Sequence, residues 1–141
     1  PVYPNNHLII TMIKFAYTIL YVKDVSRSLV FYEKAFGFQR RFISEDHSYG
    51  ELIAGETTLS FASIELAGSN LKDGFIPADL SKKPFGIEIG FTTGDVSATI
   101  KACIAAGAQL IEEPKTKPWG QVVAYVRDLD GFLVEICTPM N

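Results

Sequence analysis

The sequence predicts an α+β fold made of two tandem β-α-β-β-β modules, and three observations predict it. First, the stretch YTILYVKDVS from Tyr17 to Ser26 returns as EIGFTTGDVS from Glu88 to Ser97, 71 positions further on. Second, each copy runs on into a helical pattern that stops at a glycine, Gly37 in one and Gly107 in the other. Third, each helical pattern is followed by β-rich runs separated by turn residues. A unit repeated once in a short chain implies a duplicated module. The two copies are expected to meet along a pseudo-twofold axis, and whatever faces that axis is the candidate site.

Bulk properties bound the function. A chain of 141 residues with 48% hydrophobic and 21% charged residues is expected to form one compact domain with a real core. A net charge of −3 and a pI near 5.3 leave no electrostatic footprint for nucleic acid. No apolar run approaches the roughly 18 residues of a membrane span, so no membrane partner is expected. Cys103 and Cys137 do not make a disulfide framework. They read as reduced thiols in a cytoplasmic protein, with a single disulfide as the alternative. Residues 1–12 are set apart as an extension or remnant ahead of the repeat, and no function is placed on them. The expected boundaries are 13–63 for the first module, 64–84 for the connection and 85–141 for the second module.

The elements follow in order. Phe15 to Val22 is a β-rich strand, with Thr18, Leu20 and Val22 on one face and Tyr17, Ile19 and Tyr21 on the other. The next helix carries Val25, Leu29, Tyr32 and Phe36 in one apolar stripe. Asp24 or Ser26 caps its start, and Gly37 suits its left-handed end. Phe38–Ser44, Tyr49–Ala54 and Thr57–Ser63 read as three further strands. In the connection, Gly68, Gly74, Pro77 and Pro84 break the pattern, and only Glu65–Lys72 suits a short helix. A connection this long either closes over the pocket or simply spans the two modules. The second module repeats the order. Phe85–Thr93 is a strand, and Asp95–Ala106 is a helix with Val96, Ile100, Cys103 and Ile104 inward. The strands Gln109–Glu113, Gln121–Arg127 and Phe132–Thr138 follow. Pro114–Gly120 is a loop, and Asp130-Gly131 marks a tight hairpin turn.

These features resemble the vicinal oxygen chelate superfamily of glyoxalases, bleomycin-resistance proteins and extradiol dioxygenases. Leu20 to Val25, Phe31-Tyr32 and Phe36-Gly37-Phe38 resemble its opening strand and "FY…LGF" helix. Trp119-Gly120 with Arg127-Asp128-Leu129-Asp130-Gly131 and Glu135 resembles its closing "WG…RDPDG…E" hairpin, with Leu129 in place of proline. The resemblance covers about residues 13 to 139. It implies a half-open barrel around a cleft, and a homodimer. It also implies four ligand positions, which fall on Tyr17, near Ser60, on Glu88 and on Glu135.

Those positions supply a phenol, a hydroxyl and two carboxylates. The family's divalent ions need His and Glu or Gln donors converging at about 2.0–2.2 Å. A tyrosine phenol, with its pKa near 10, is a costly substitute. His7 lies in the N-terminal stretch and His47 in a predicted turn, neither on an inner strand position. No cofactor is therefore favoured; if a metal is bound, Tyr17, Glu88 and Glu135 would hold Zn, Ni, Mn or Fe.

By strand alternation Glu88 and Glu135 project into the cleft. There they share a proton as acid or base, meet a cationic ligand, or pair with Arg40, Arg41 or Arg127. Tyr17, Ile19, Tyr21, Ser60, Phe61 and Trp119 complete an apolar, aromatic lining typical of a small-molecule site. Two readings follow. One is metal-independent binding of a small aromatic or cationic molecule, as in drug-sequestering resistance proteins. The other is a glyoxalase-like lyase or isomerase in which Glu135 and Glu88 do the chemistry.

Overall fold

A computed structural model describes residues 12–140. Strand β1 (Thr18–Val22) leads into helix α1 (Val25–Phe36). Strands β2 (Gln39–Ile43), β3 (Tyr49–Ala54) and β4 (Thr57–Ser63) follow, and then the short helix α2 (Ile64–Asn70). The second module holds β5 (Ile89–Thr92), α3 (Val96–Ala105), β6 (Gln109–Thr116), β7 (Val122–Arg127) and β8 (Leu133–Cys137). Each module makes one four-stranded sheet, in the orders β1-β4-β3-β2 and β5-β8-β7-β6. In both, the first strand runs parallel to the last, and the other pairs are antiparallel. The expected α+β duplication is what the chain forms.

The repeat carries its own signals. Asp24 and Asp95 each sit at a helix N-cap, where the side chain accepts an amide hydrogen bond from Arg27 at 3.1 Å and from Ala98 at 3.0 Å. Gly37 ends α1 with φ +73°, and its amide donates to Glu33 O at 2.9 Å. Helix α1 buries Val25, Leu29, Phe31 and Tyr32, a wider stripe than sequence periodicity gave, because it packs on its own sheet and on α3. In α3, Val96, Ile100 and Cys103 point inward as expected, whereas Ile104 is 47% exposed.

Three strands depart from their expected bounds by more than one residue at an end. β1 starts at Thr18 rather than Phe15, and β5 at Ile89 rather than Phe85. Each pairs in parallel with a strand that is itself preceded by a turn, so the upstream residues have no ladder to join. Thr18 lies beside Leu59, just past Gly55-Glu56, and Ile89 beside Val134, just past Asp128–Gly131. β6 runs on through Pro114 to Thr116. Proline has no amide to donate, but β6 is an edge strand, and its pairing slips between Glu112 and Lys115 to accommodate it.

One core joins the modules. Tyr32 and Phe36 of α1 pack against Phe91 of β5 at ring-centre distances of 6.4 and 4.7 Å. The Tyr32 hydroxyl donates to Asp128 Oδ2 at 2.5 Å across the module boundary, fully buried. The other carboxylate oxygen, Asp128 Oδ1, accepts the amides of Asp130, Gly131 and Phe132 at 2.9–3.0 Å and so shapes the hairpin turn. Burial pushes the Asp128 carboxyl up, while the Tyr32 hydroxyl and the Phe132 amide pull the other way. Cys103 and Cys137 are both buried and free. Among the described residues no helix is long and apolar enough to cross a membrane.

Removing a donor from a buried carboxylate costs about 1–3 kcal/mol. Tyr32→Phe keeps the ring and loses the hydroxyl, so its unfolding free energy should fall by that amount, read as a lower urea midpoint at unchanged slope; an unchanged midpoint would show that the bond contributes nothing.

Candidate active or binding cleft

The helices cover one face of each sheet and leave the other face open for a site. In the first sheet Ile19, Ser60 and Glu51 lie in one cross-strand row. In the second, Gly90, Glu135 and Tyr125 form the matching row. Edge strands β1 and β5 approach each other on the helix-facing side of the sheets. Thr18 and Ile89, equivalent under the repeat, line one small cavity of about 130 Å³. Ile19 and Tyr21 line another, of about 210 Å³, with Phe75, Phe85 and Phe132.

The predicted residues fall into distinct groups. Glu88 and Glu135 are brought together. The Glu135 carboxyl is pushed up from its ordinary value, first by burial and then by its hydrogen bonding to Glu88 and the charge there, with Lys117 pulling it down. Tyr125 stands against the same pair, its phenol raised by burial first and then by the charges of Glu135 and Glu88. The arginines do not neutralise the pair. Arg40 is bound to Glu33 at 2.9 Å and Arg41 to Glu51 at 3.1 Å. Arg127 is buried and donates to backbone carbonyls instead.

Tyr17, half exposed, belongs with Tyr49, Glu51 and Ser60 on the first sheet. Glu51 is a site residue that the sequence reading missed. It accepts from the Tyr49 hydroxyl at 2.7 Å and from Arg41 at 3.1 Å. The alternation of Tyr49, Glu51 and Ile53 along β3 was the available signal. Ser60 is wholly buried, and its hydroxyl has no hydrogen-bond partner among the described residues. Among those residues no hydrogen bond or ion pair links this group to Glu88 and Glu135.

Two placements differ from expectation. Phe61 shares the helix-facing side with Leu20, and its buried ring packs 5.2 Å from Tyr32, so it is core and not cleft lining. Trp119 is 62% exposed, and its indole donates to Gln121 at 2.9 Å. It lines a separate concavity with Gln121, Pro139 and Met140, apart from the carboxylates. A more spacious concavity, about 550 Å³, lies between α1 and the end of α3; it is lined by no carboxylate and by no residue of either row, so size does not make it the site.

The donor set does not fit the family's four-ligand metal centre. Two carboxylates converge, but the other two positions offer a half-exposed phenol and a sealed hydroxyl. No cluster of three His, Cys, Asp or Glu side chains occurs among the described residues. His47 sits in a turn with φ +61°, bonded through Nδ1 to Ser26. His7 lies outside the described residues.

The fold is that of one superfamily. Residues 14–136 match the family described as the Glyoxalase/Bleomycin resistance protein/Dioxygenase superfamily, and the chain belongs to it. A putative lactoylglutathione lyase from Brassica oleracea var. gemmifera is 30% identical over 128 residues, covering 87% of this chain. The chain spans only 43% of that relative's length. A virulence protein from Salmonella typhimurium is 26% identical over 138 residues, covering 94% of this chain and 90% of its own. Among solved structures, a glyoxalase-related enzyme from Fulvimarina pelagi superposes with TM-score 0.77 at 20% identity, covering 91% of this chain and 89% of its own.

The raised Glu135 carboxyl makes a signed prediction. An acid raised in the folded state takes up its proton more readily there than when unfolded. The crowded pair therefore destabilises the fold above the folded pKa, and this is relieved as pH falls through it. Glu88→Gln should be more stable than the parent at neutral pH, with the gap closing on acidification. Carbon-detected NMR should show the Glu135 titration moving down toward the ordinary carboxylate range; no movement would mean that the two carboxyls are not in contact.

Proposed function

We propose that this chain binds a small aromatic or cationic molecule in the cleft between its modules without needing a metal. One observation carries the reading. Glu88 and Glu135 crowd each other while every ion pair among the described residues lies elsewhere. Two adjacent carboxylates with no ion-pair contact, and only the more distant charge of Lys117, are costly, and a cationic ligand group would complete them. The aromatic faces of Tyr21, Tyr125 and Tyr17 would supply cation–π contact nearby.

The reading has a pH signature. A cation favours the doubly ionised pair, so affinity should rise with pH through the Glu135 titration. Benzyltrimethylammonium titrated by calorimetry should bind more weakly in acid than at neutral pH, and Glu135→Gln should weaken it about tenfold. Equal binding by the variant would sink the reading.

The likeness to lactoylglutathione lyases favours a second reading, a glyoxalase-like lyase or isomerase. A carboxyl with a raised pKa suits moving a proton next to a carbonyl. In that case protein purified without chelator would carry a stoichiometric divalent ion that is lost in Glu135→Ala, and it would isomerise thiol–aldehyde adducts.

A homodimer fits the exposed apolar surface ahead of the two edge strands. Ile13 and Phe15 are 97% and 83% exposed before β1, and Ile87 is 67% exposed before β5. Sedimentation should give twice the chain mass, and Phe15→Asp should shift the population to monomer.

A further inference from the structure

We infer that the connection between the modules is the specificity element of the cleft, and that it forms an apolar pocket for one uncharged ring of the ligand. The pocket is walled by Ile19, Tyr21, Phe75, Ile76, Phe85 and Phe132. Two of these lie on the open face of β1, and three come from the segment 71–88 that crosses above it. Phe75 stands edge-on to Tyr21, with ring centres 4.8 Å apart. The volume of about 210 Å³ is below the roughly 300–1,000 Å³ of sites that enclose a whole drug-sized molecule. It suits a single ring, not a fused system.

The roof is held, not draped. Arg127 is 5% exposed and has no carboxylate partner among the described residues. Its guanidinium donates to the carbonyls of Asp79 at 3.0 Å, Leu80 at 3.4 Å, Lys82 at 2.6 Å and Gly131 at 2.9 Å. These bonds tie the connection to β7 and to the turn before β8. Gly131 is required here, because a Cβ would lie 2.8 Å from Arg127 Nη2 and 3.1 Å from the Asp79 backbone. The turn, the arginine and the roof are thus fixed as one unit. At the mouth Ile76 is 74% exposed and Phe85 40%, apolar surface that a bound ring would cover.

Phe85 and Phe132 lie three residues ahead of Glu88 and Glu135, so the pocket stands just before the two strands that follow Glu88 and carry Glu135. The ligand class is an aryl group joined by a short alkyl linker to a cationic end. The charged end rests on the carboxylate reading above; the ring pocket does not.

The test uses the whole chain labelled at isoleucine methyls, titrated separately with phenol and with phenethylammonium and followed by NMR. Both probes should shift the Ile19 and Ile76 methyls and leave Ile53 and Ile111 unmoved. Phe75→Ala should weaken both about three- to tenfold, with the amide spectrum otherwise retained. Glu135→Gln should weaken only phenethylammonium. If phenol moves neither Ile19 nor Ile76, or if Phe75→Ala binds both probes as the parent does, the pocket is not a ring site. If the pocket responds to both probes but Glu135→Gln changes neither affinity, the ring site stands and the carboxylate reading falls.

Discussion

Asp128 is the group on which the two modules depend. One carboxylate oxygen receives the Tyr32 hydroxyl from the first module, and the other gathers three amides of its own turn. A charge-bearing group is tolerated inside a core only when its lone pairs are filled, and here four donors fill them. The backbone amide of Lys23 and the hydroxyl of Ser28 then donate to the neighbouring Asp130, each at 3.1 Å, and lock the start of α1 to the same turn. The placement of β8, and with it Glu135, follows from this turn. So does the path of the connection, because Gly131 O is one of the Arg127 acceptors.

Much of this was legible in the sequence because duplication writes the same signals twice. The Asp caps, the glycine stops and the Asp-Gly turn are local chemistry and hold without tertiary context. The strand ends were less legible, since a parallel pair ends where its partner's turn begins, and that partner is distant in sequence. Alternation along β1 and β5 correctly separated the open face from the helix face. It failed for Phe61 only because the register of β4 was uncertain by one place, and one place exchanges the two faces of a strand. Glu51 was missed because the family resemblance directs attention to first and last strands, whereas Glu51 sits on a middle one.

The second module's row carries carboxylates free of an ion pair, and the first module's does not. Across the pseudo-twofold, the row Gly90, Glu135, Tyr125 answers Ile19, Ser60, Glu51. The first row's carboxylate is neutralised by Arg41 and by the Tyr49 hydroxyl. Carboxylate charge free of an ion pair is therefore concentrated on the second module's row.

The slipped register of the outer strands has a consequence for how copies meet. β2 breaks its ladder between Arg40 and Phe42, and β6 breaks at the corresponding place between Leu110 and Glu112, then again around Pro114. Both are the outer edges of their sheets. A bulged or proline-bearing edge presents a broken row of amides and carbonyls that a foreign strand cannot zip onto. Outward growth of either sheet through β2 or β6 is thereby disfavoured.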